Sequence, residues 1–255
     1  MQTYKKDFIP YYRDVDRNYT MKLPSVIEYF GTISTFHSAY LGIDPMFMEK
    51  RGLGWVLYSW RGEIFSMPKY AENFTVETFA EDIKGRYFMR YYVMYDNKEN
   101  YIGYCASKWV LIDINKRRLV KIPEEIGSLY RFERENANNI QKNIISSRDE
   151  IKTVVTDDTF EAIFPLRYYD IDPNMHVNNV RYVEWAIESM NLKADFLDKF
   201  RPEKFSIVYK KEKHSDGNIK ILTALNDLTS LHKITDEYGE ILCLINFTWT
   251  EKSAL

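Results

Sequence analysis

The chain of 255 residues is short of cysteine, glycine, proline and net charge, and each shortage removes a class of protein. Two cysteines, Cys105 and Cys243, cannot build a metal cluster or a disulfide framework by themselves. Thiols left reduced suit a reducing compartment, so the cytoplasm is the expected location. With 10 Gly and 8 Pro the chain is neither collagenous nor of low complexity. Lys plus Arg number 35 against 37 Asp plus Glu, a net charge of −2, so no global positive field draws nucleic acid or an anionic membrane. No apolar run approaches the roughly 18 residues of a membrane span. The start, MQTYKKDFIPYYRDVD, has no apolar signal core and is too acidic and too poor in Ser for a transit peptide. The expectation is a protein that is neither exported nor stably inserted in a membrane.

What the chain has in excess is aromatic side chains, 20 Tyr, 15 Phe and 5 Trp, which favour pleated, half-buried surfaces and lean the fold toward sheet. It also repeats itself. Residues 12–18 (YRDVDRN) align without gaps on residues 168–174 (YYDIDPN), sharing Tyr, Asp, Asp and Asn. An amphipathic helix pattern of roughly 15–20 residues follows each copy. Leu23, Val26, Ile27, Phe30 and Ile33 carry the first, with Pro24 suited to its opening turn, and Val177, Val180, Val183, Ile187 and Met190 carry the second. Strand patterns come next, at 54–67, 74–80, 86–95 and 101–114 and again at 205–213, 218–226, 228–235 and 240–250. The order predicts an α+β fold of two similar units, each a long helix wrapped by an antiparallel sheet. We place the first unit at 1–125, a polar and partly helical linker at 126–158, and the second unit at 159–255.

Positions where the copies differ suggest which half carries chemistry. The shift that brings Tyr12 onto Tyr168 brings Thr20 onto His176 and Lys22 onto Asn178, so the polar set DPNMHVNN has only a partial echo. Asp172, Asn174 and His176 alternate, and in an extended segment they would share one side just before a helix starting near Val177. Asp and Asn before a helix also serve as caps and turn residues, and spacing alone does not separate that role from chemistry. Of the other histidines, His37 reads as part of a helix face, and His214 and His232 have no comparable neighbourhood.

The stretch YYDIDPNMHVNNVRYVEWAIESM resembles the signature of the acyl-acyl carrier protein (acyl-ACP) thioesterases, tandem hotdog enzymes of plant plastids and bacteria. Tyr209, Lys210, Lys211 and Glu212 occupy the family's downstream Y-[KR]-[KR]-E segment. In the first half DVDRNYTMKLPSVIEYF, GLGWVL and SKWVLIDINKRRLVKI look like its N-terminal hotdog. The resemblance covers roughly 5–125 and 160–250. It implies an active site of Asn174, His176 and Glu212, with Asp172 beside them. Many relatives place a cysteine directly after the glutamate, and here that residue is Lys213.

A protonated lysine cannot replace a thiolate nucleophile, and Cys105 and Cys243 lie in apolar strand patterns, so a covalent cysteine mechanism is disfavoured. Direct hydrolysis remains, with Glu212 as general base, His176 orienting water or polarising the carbonyl, Asn174 positioning substrate and Asp172 orienting Asn174 or His176. Which of Glu212 and His176 is the base stays open. No metal and no cofactor are expected. The resemblance makes acyl carrier protein with a 4'-phosphopantetheine-linked acyl chain the expected partner, taken by a monomer or homodimer. Val26, Ile27 and Phe30 are the expected acyl-pocket lining. Two basic groups could steer an acidic carrier protein, NKRRLVK with Arg117, Arg118 and Lys121, and KKEKH with Lys210, Lys211 and Lys213. An acyl-CoA donor, a hotdog hydratase or dehydratase, and a noncatalytic acyl-thioester binding module are the rival readings.

Overall fold

The computed structural model describes residues 3–83, 85–130, 137–146, 151, 156–214 and 216–252. The chain divides into two compact units, Met1–Arg148 and Asp149–Leu255. The first contains β1 (Tyr4–Phe8), α1 (Leu23–Tyr40), α2 (Pro45–Lys50), β2 (Leu53–Ile64), β3 (Phe74–Ile83), β4 (Tyr87–Asp96), β5 (Tyr101–Asp113), β6 (Arg118–Leu119), α3 (Glu124–Gly127) and α4 (Asn139–Ser146). Its strands run in the order β1-β3-β4-β5-β2, antiparallel throughout, with β6 paired to β5. The second contains β7 (Thr159–Pro165), α5 (Asn179–Ser189), α6 (Phe196–Lys199), β8 (Phe200–Tyr209), β9 (Asn218–Asn226), β10 (Thr229–Asp236) and β11 (Ile241–Glu251). Its antiparallel order is β7-β9-β10-β11-β8, the same path by rank in the chain. Each is the helix-in-sheet hotdog unit expected from the sequence.

Helix α1 starts where Pro24 fits a first turn and buries Leu23, Val26, Ile27, Phe30, Ile33 and His37 along one stripe. Phe30 stacks on Tyr92 of β4 at 4.8 Å between ring centres. Truncating such a fully enclosed ring costs about 3–5 kcal/mol through lost transfer energy and the cavity left behind. The next residues of β4, Tyr91 and Val93, face the opposite side and meet Ala137 and Ile144 from the segment of α4. Both faces of this sheet are therefore covered, which accounts for its aromatic load. In the second unit β10 alternates, burying Ser230, His232, Ile234 and Asp236 and leaving the residues between them more open.

Three expectations need correction. A strand precedes each helix, β1 and β7, both short and alternating in exposure. The second helix has 11 residues rather than 15–20, continued by a 3-10 turn at Met190–Leu192, and begins after Asn178 rather than at Val177. The strand expected at 205–213 ends at Tyr209, so Glu212 lies in the segment beyond it. Of the expected linker, residues 131–136, 147–150 and 152–155 lie outside the described residues.

Candidate active site

His176 sits on a turn that the chain builds from one aspartate. The Asp172 N–H donates to the His176 carbonyl at 2.8 Å, and the Met175 N–H to the Asp172 carbonyl at 2.9 Å. The Asp172 carboxylate accepts from the backbone N–H of Asn174 at 2.8 Å and of His176 at 3.3 Å. Met175 takes a left-handed φ of 63° to close the loop. This overturns the extended segment expected from the alternating spacing. Asp172, Asn174 and His176 are brought together by a tight turn, in which Asp172 acts on backbone amides and, at 3.4 Å, on the Asn174 side-chain amide. Behind it, Asn178 caps α5 by accepting from the Val180 N–H. Its role in the paired asparagines is that of a helix cap.

Glu212 arrives from the segment after β8. The Val177 N–H donates to the Lys213 carbonyl at 2.8 Å, tying this segment to the histidine turn. The result sets His176 Nε2 at 3.5 Å from Glu212 Oε2, both partly open to solvent. That spacing is long for a direct hydrogen bond and short enough for both groups to address one water molecule. The sequence reading overlooked His214. Its ring centre lies 4.6 Å from that of His176 in an edge-on contact, and its Nδ1 is 3.3 Å from the Met175 carbonyl. The signal was present in the spacing Glu212-x-His214, which puts two side chains on one side of an extended segment.

Lys213, directly after Glu212, turns its ammonium to the Glu237 carboxylate at 3.1 Å. The backbone N–H of Glu237 itself, and after it this pairing, hold the Glu237 carboxyl below the usual carboxylate range. Lys211 pairs with Glu240. Two of the three lysines in KKEKH are therefore matched by acids, and the segment is not the basic patch expected from its composition. The NKRRLVK turn fares differently. Lys116 pairs with Asp113 at 3.5 Å, while Arg117, Arg118 and Lys121 are exposed on and around β6. Val26, Ile27 and Phe30 are fully enclosed beneath α1. Cys105 and Cys243 are buried and in no disulfide, and burial pushes the Cys243 thiol well up, away from thiolate chemistry.

Residues 1–130 match the family of acyl-ACP thioesterase N-terminal domains and residues 153–251 that of the C-terminal domains. Oleoyl-acyl carrier protein thioesterase 2, chloroplastic, of Arabidopsis thaliana is 25% identical over 87% of this chain and 62% of the relative. Dodecanoyl-[acyl-carrier-protein] hydrolase, chloroplastic, of Umbellularia californica is 27% identical over 70% of this chain and 46% of its own length. The chain thus spans less than two thirds of either. Among solved structures, an acyl-ACP thioesterase from Bacteroides thetaiotaomicron superposes with a TM-score of 0.81 at 20% identity, over 97% of this chain and 98% of that one. The 12:0-ACP thioesterase from Umbellularia californica gives 0.81 at 20%, over 98% of each. At these identities the likeness is one of fold. Among the described residues no helix is long and apolar enough to cross a membrane. With both of its halves matched in chain order, the chain belongs to the acyl-ACP thioesterase family.

Proposed function

We propose that the chain hydrolyses the thioester of a fatty acyl chain carried on the phosphopantetheine arm of acyl carrier protein, releasing the free fatty acid. The observation that carries this reading is the approach of His176 to Glu212 across two segments locked by one backbone hydrogen bond. Glu212 takes a proton from the water that attacks the thioester carbonyl, and His176 orients that water or donates to the carbonyl oxygen. The tetrahedral oxyanion then collapses with cleavage of the carbon–sulfur bond. The departing pantetheine thiolate recovers the proton held by Glu212. Asn174 positions the substrate from the turn, and Asp172 holds that turn in shape. With Lys213 ion-paired and both cysteines buried, the attack is by water and no acyl-enzyme forms.

The acyl chain is assigned to the face of α1 that carries Val26, Ile27 and Phe30, whose packed side chains would have to make room for it. Arg117, Arg118 and Lys121 are assigned to the encounter with an acidic carrier protein, and the reduced, buried thiols suit action in the cytoplasm. The test is turnover of a panel of acyl-ACP and acyl-CoA thioesters of graded length by the purified chain and by Glu212→Gln. Preference for the ACP series and loss of turnover in the variant are expected. Comparable rates on CoA thioesters would make CoA the donor, and full activity in Glu212→Gln would remove the base assignment.

A further inference from the structure

We propose that His176, Glu212 and His214 form a three-ligand site for a divalent transition cation of the zinc class, and that filling it arrests hydrolysis. One donor atom from each residue lies within 4.8 Å of the others. The His176 Nε2 to Glu212 Oε2 distance of 3.5 Å is close to a tetrahedral edge, which is about 3.3 Å for ligands at 2.0–2.1 Å from zinc. Two imidazoles and a carboxylate select zinc, nickel or copper over magnesium or calcium, which prefer all-oxygen shells.

Two further observations show that the site is prepared before any ion arrives. A carbonyl only accepts, so the contact of His214 Nδ1 with the Met175 carbonyl puts the proton on Nδ1 and leaves the Nε2 lone pair for a metal. A backbone carbonyl behind the far nitrogen is the usual orienting contact of a ligating histidine. The two ligand-bearing segments are also held together by the Val177 to Lys213 backbone bond, so binding requires side-chain adjustment and no refolding. Partial exposure leaves the fourth position to water. The nearby lysine charge is already matched by Glu237.

The binding claim stands on geometry alone, whereas the effect on turnover rests on the proposed function. A bound ion takes the Glu212 lone pair and the His176 nitrogen, the two groups assigned to the attacking water. Calorimetric titration of untagged, chelator-treated full-length protein with zinc chloride should give one equivalent bound. Cobalt(II) in its place should produce the visible absorption of a tetrahedral nitrogen–oxygen site. His214→Gln and His176→Gln should each weaken zinc binding by at least about tenfold. Zinc binding unchanged in His214→Gln, or no binding at micromolar zinc, overturns the site. If zinc binds as expected but the wild-type chain hydrolyses no acyl thioester, the proposed function fails and the site stands. If hydrolysis depends on Glu212 but zinc neither binds nor inhibits, only the site fails.

Discussion

The two copies of the turn, one in each unit, are nearly identical in backbone and opposite in chemistry. In the first, the Asp16 N–H donates to the Thr20 carbonyl and the Tyr19 N–H to the Asp16 carbonyl. The Asp16 carboxylate accepts from the N–H of Asn18 at 2.9 Å and of Thr20 at 3.1 Å. Tyr19 takes a φ of 57° where Met175 takes 63°. The Met21 N–H reaches the Pro68 carbonyl as the Val177 N–H reaches that of Lys213. These matched bonds align Thr20 with His176, Met67 with Glu212 and Lys69 with His214. His176, Glu212 and His214 are all replaced in the first copy, while the aspartate and Asn174, as Asn18, are kept. The comparison separates scaffold from chemistry, and it moves Asp172 to the scaffold side.

The largest effect should come from removing the groups that the second copy has and the first lacks. Glu212→Gln should lower kcat by about 10²- to 10⁴-fold with KM little changed, and His176→Thr should cost a comparable factor. The double variant should lose less than the product of the two, because both act on one water. Thr20→Ala and Met67→Ala in the first copy should leave kcat within about twofold. Steady-state kinetics on an acyl-ACP would break the comparison if the first-copy variants proved as damaging.

A second pair of equivalents lies in the cores. In the first unit Tyr92 links Ser34 of the helix, at 2.7 Å, to Ser107, at 3.2 Å, and Ser107 accepts from the Trp109 indole. In the second, the buried His232 links Thr223, at 2.9 Å, to Ser230, at 2.8 Å, and Ser230 accepts from the Trp249 indole. His232→Leu removes a ring that bonds both Thr223 and Ser230, leaving them only Ser189 and the Trp249 indole, and replaces it with a side chain of another shape, at about 1–3 kcal/mol for each weakened group. Tyr92→Phe should cost less, roughly 1–2 kcal/mol, since the ring stays in place and only its hydroxyl is lost. Urea unfolding of the two variants measures the difference.

Asp16→Ala and Asp172→Ala should destabilise by similar amounts, about 1–2 kcal/mol each, because each removes the carboxylate that accepts from equivalent backbone N–H groups. Only Asp172→Ala should also reduce kcat, by displacing His176. An Asp172→Ala protein of undiminished stability but lost activity would return that residue to the chemistry.

Each unit also holds one buried neutral histidine. Burial lowers His37 to about 3, aided by the Arg90 guanidinium that donates to its Nδ1 at 3.0 Å, and burial alone lowers His232 to about 3. Unfolded, both take protons near the ordinary 6.5, so the unfolded chain binds more protons between those limits. Stability should therefore be full above about pH 6.5 and fall as pH drops toward 3. His232→Gln should flatten that profile in part, read as urea midpoint against pH. The smallest expected effect is on Cys105→Ala and Cys243→Ala, singly or together, which should keep most of the hydrolysis while the protein stays folded.

The duplication was legible because Tyr, Asp, Asp and Asn recur at fixed spacing, and the helices because their apolar residues recur every three to four positions. The leading strands were not. β1 (YKKDF) is too short and too charged to stand out from loop, while the alternating Phe160, Ala162 and Phe164 of β7 lie in a segment of only seven residues that ends in proline. The site turn was misread because a left-handed methionine has no signature in sequence. His214 was passed over because its partner, His176, is distant in the chain and close only once the Val177 to Lys213 bond forms. Composition misjudged KKEKH for the same reason, as Glu237 and Glu240 reach its lysines from the far end of a hairpin.

The shared strand order carries a hazard during folding. A chain that contains two sheets of one topology offers each strand two addresses, and a strand that settles into the wrong copy traps a misassembled species. The side chains make the addresses distinct. A strand with the rings of Tyr91 and Tyr92 cannot occupy the place of one bearing Leu231 and His232 without leaving hydroxyls unmatched and indoles stranded. The divergence of the two cores at this strand, a tyrosine on β4 where β10 carries an imidazole, acts as a proofreading code for strand placement.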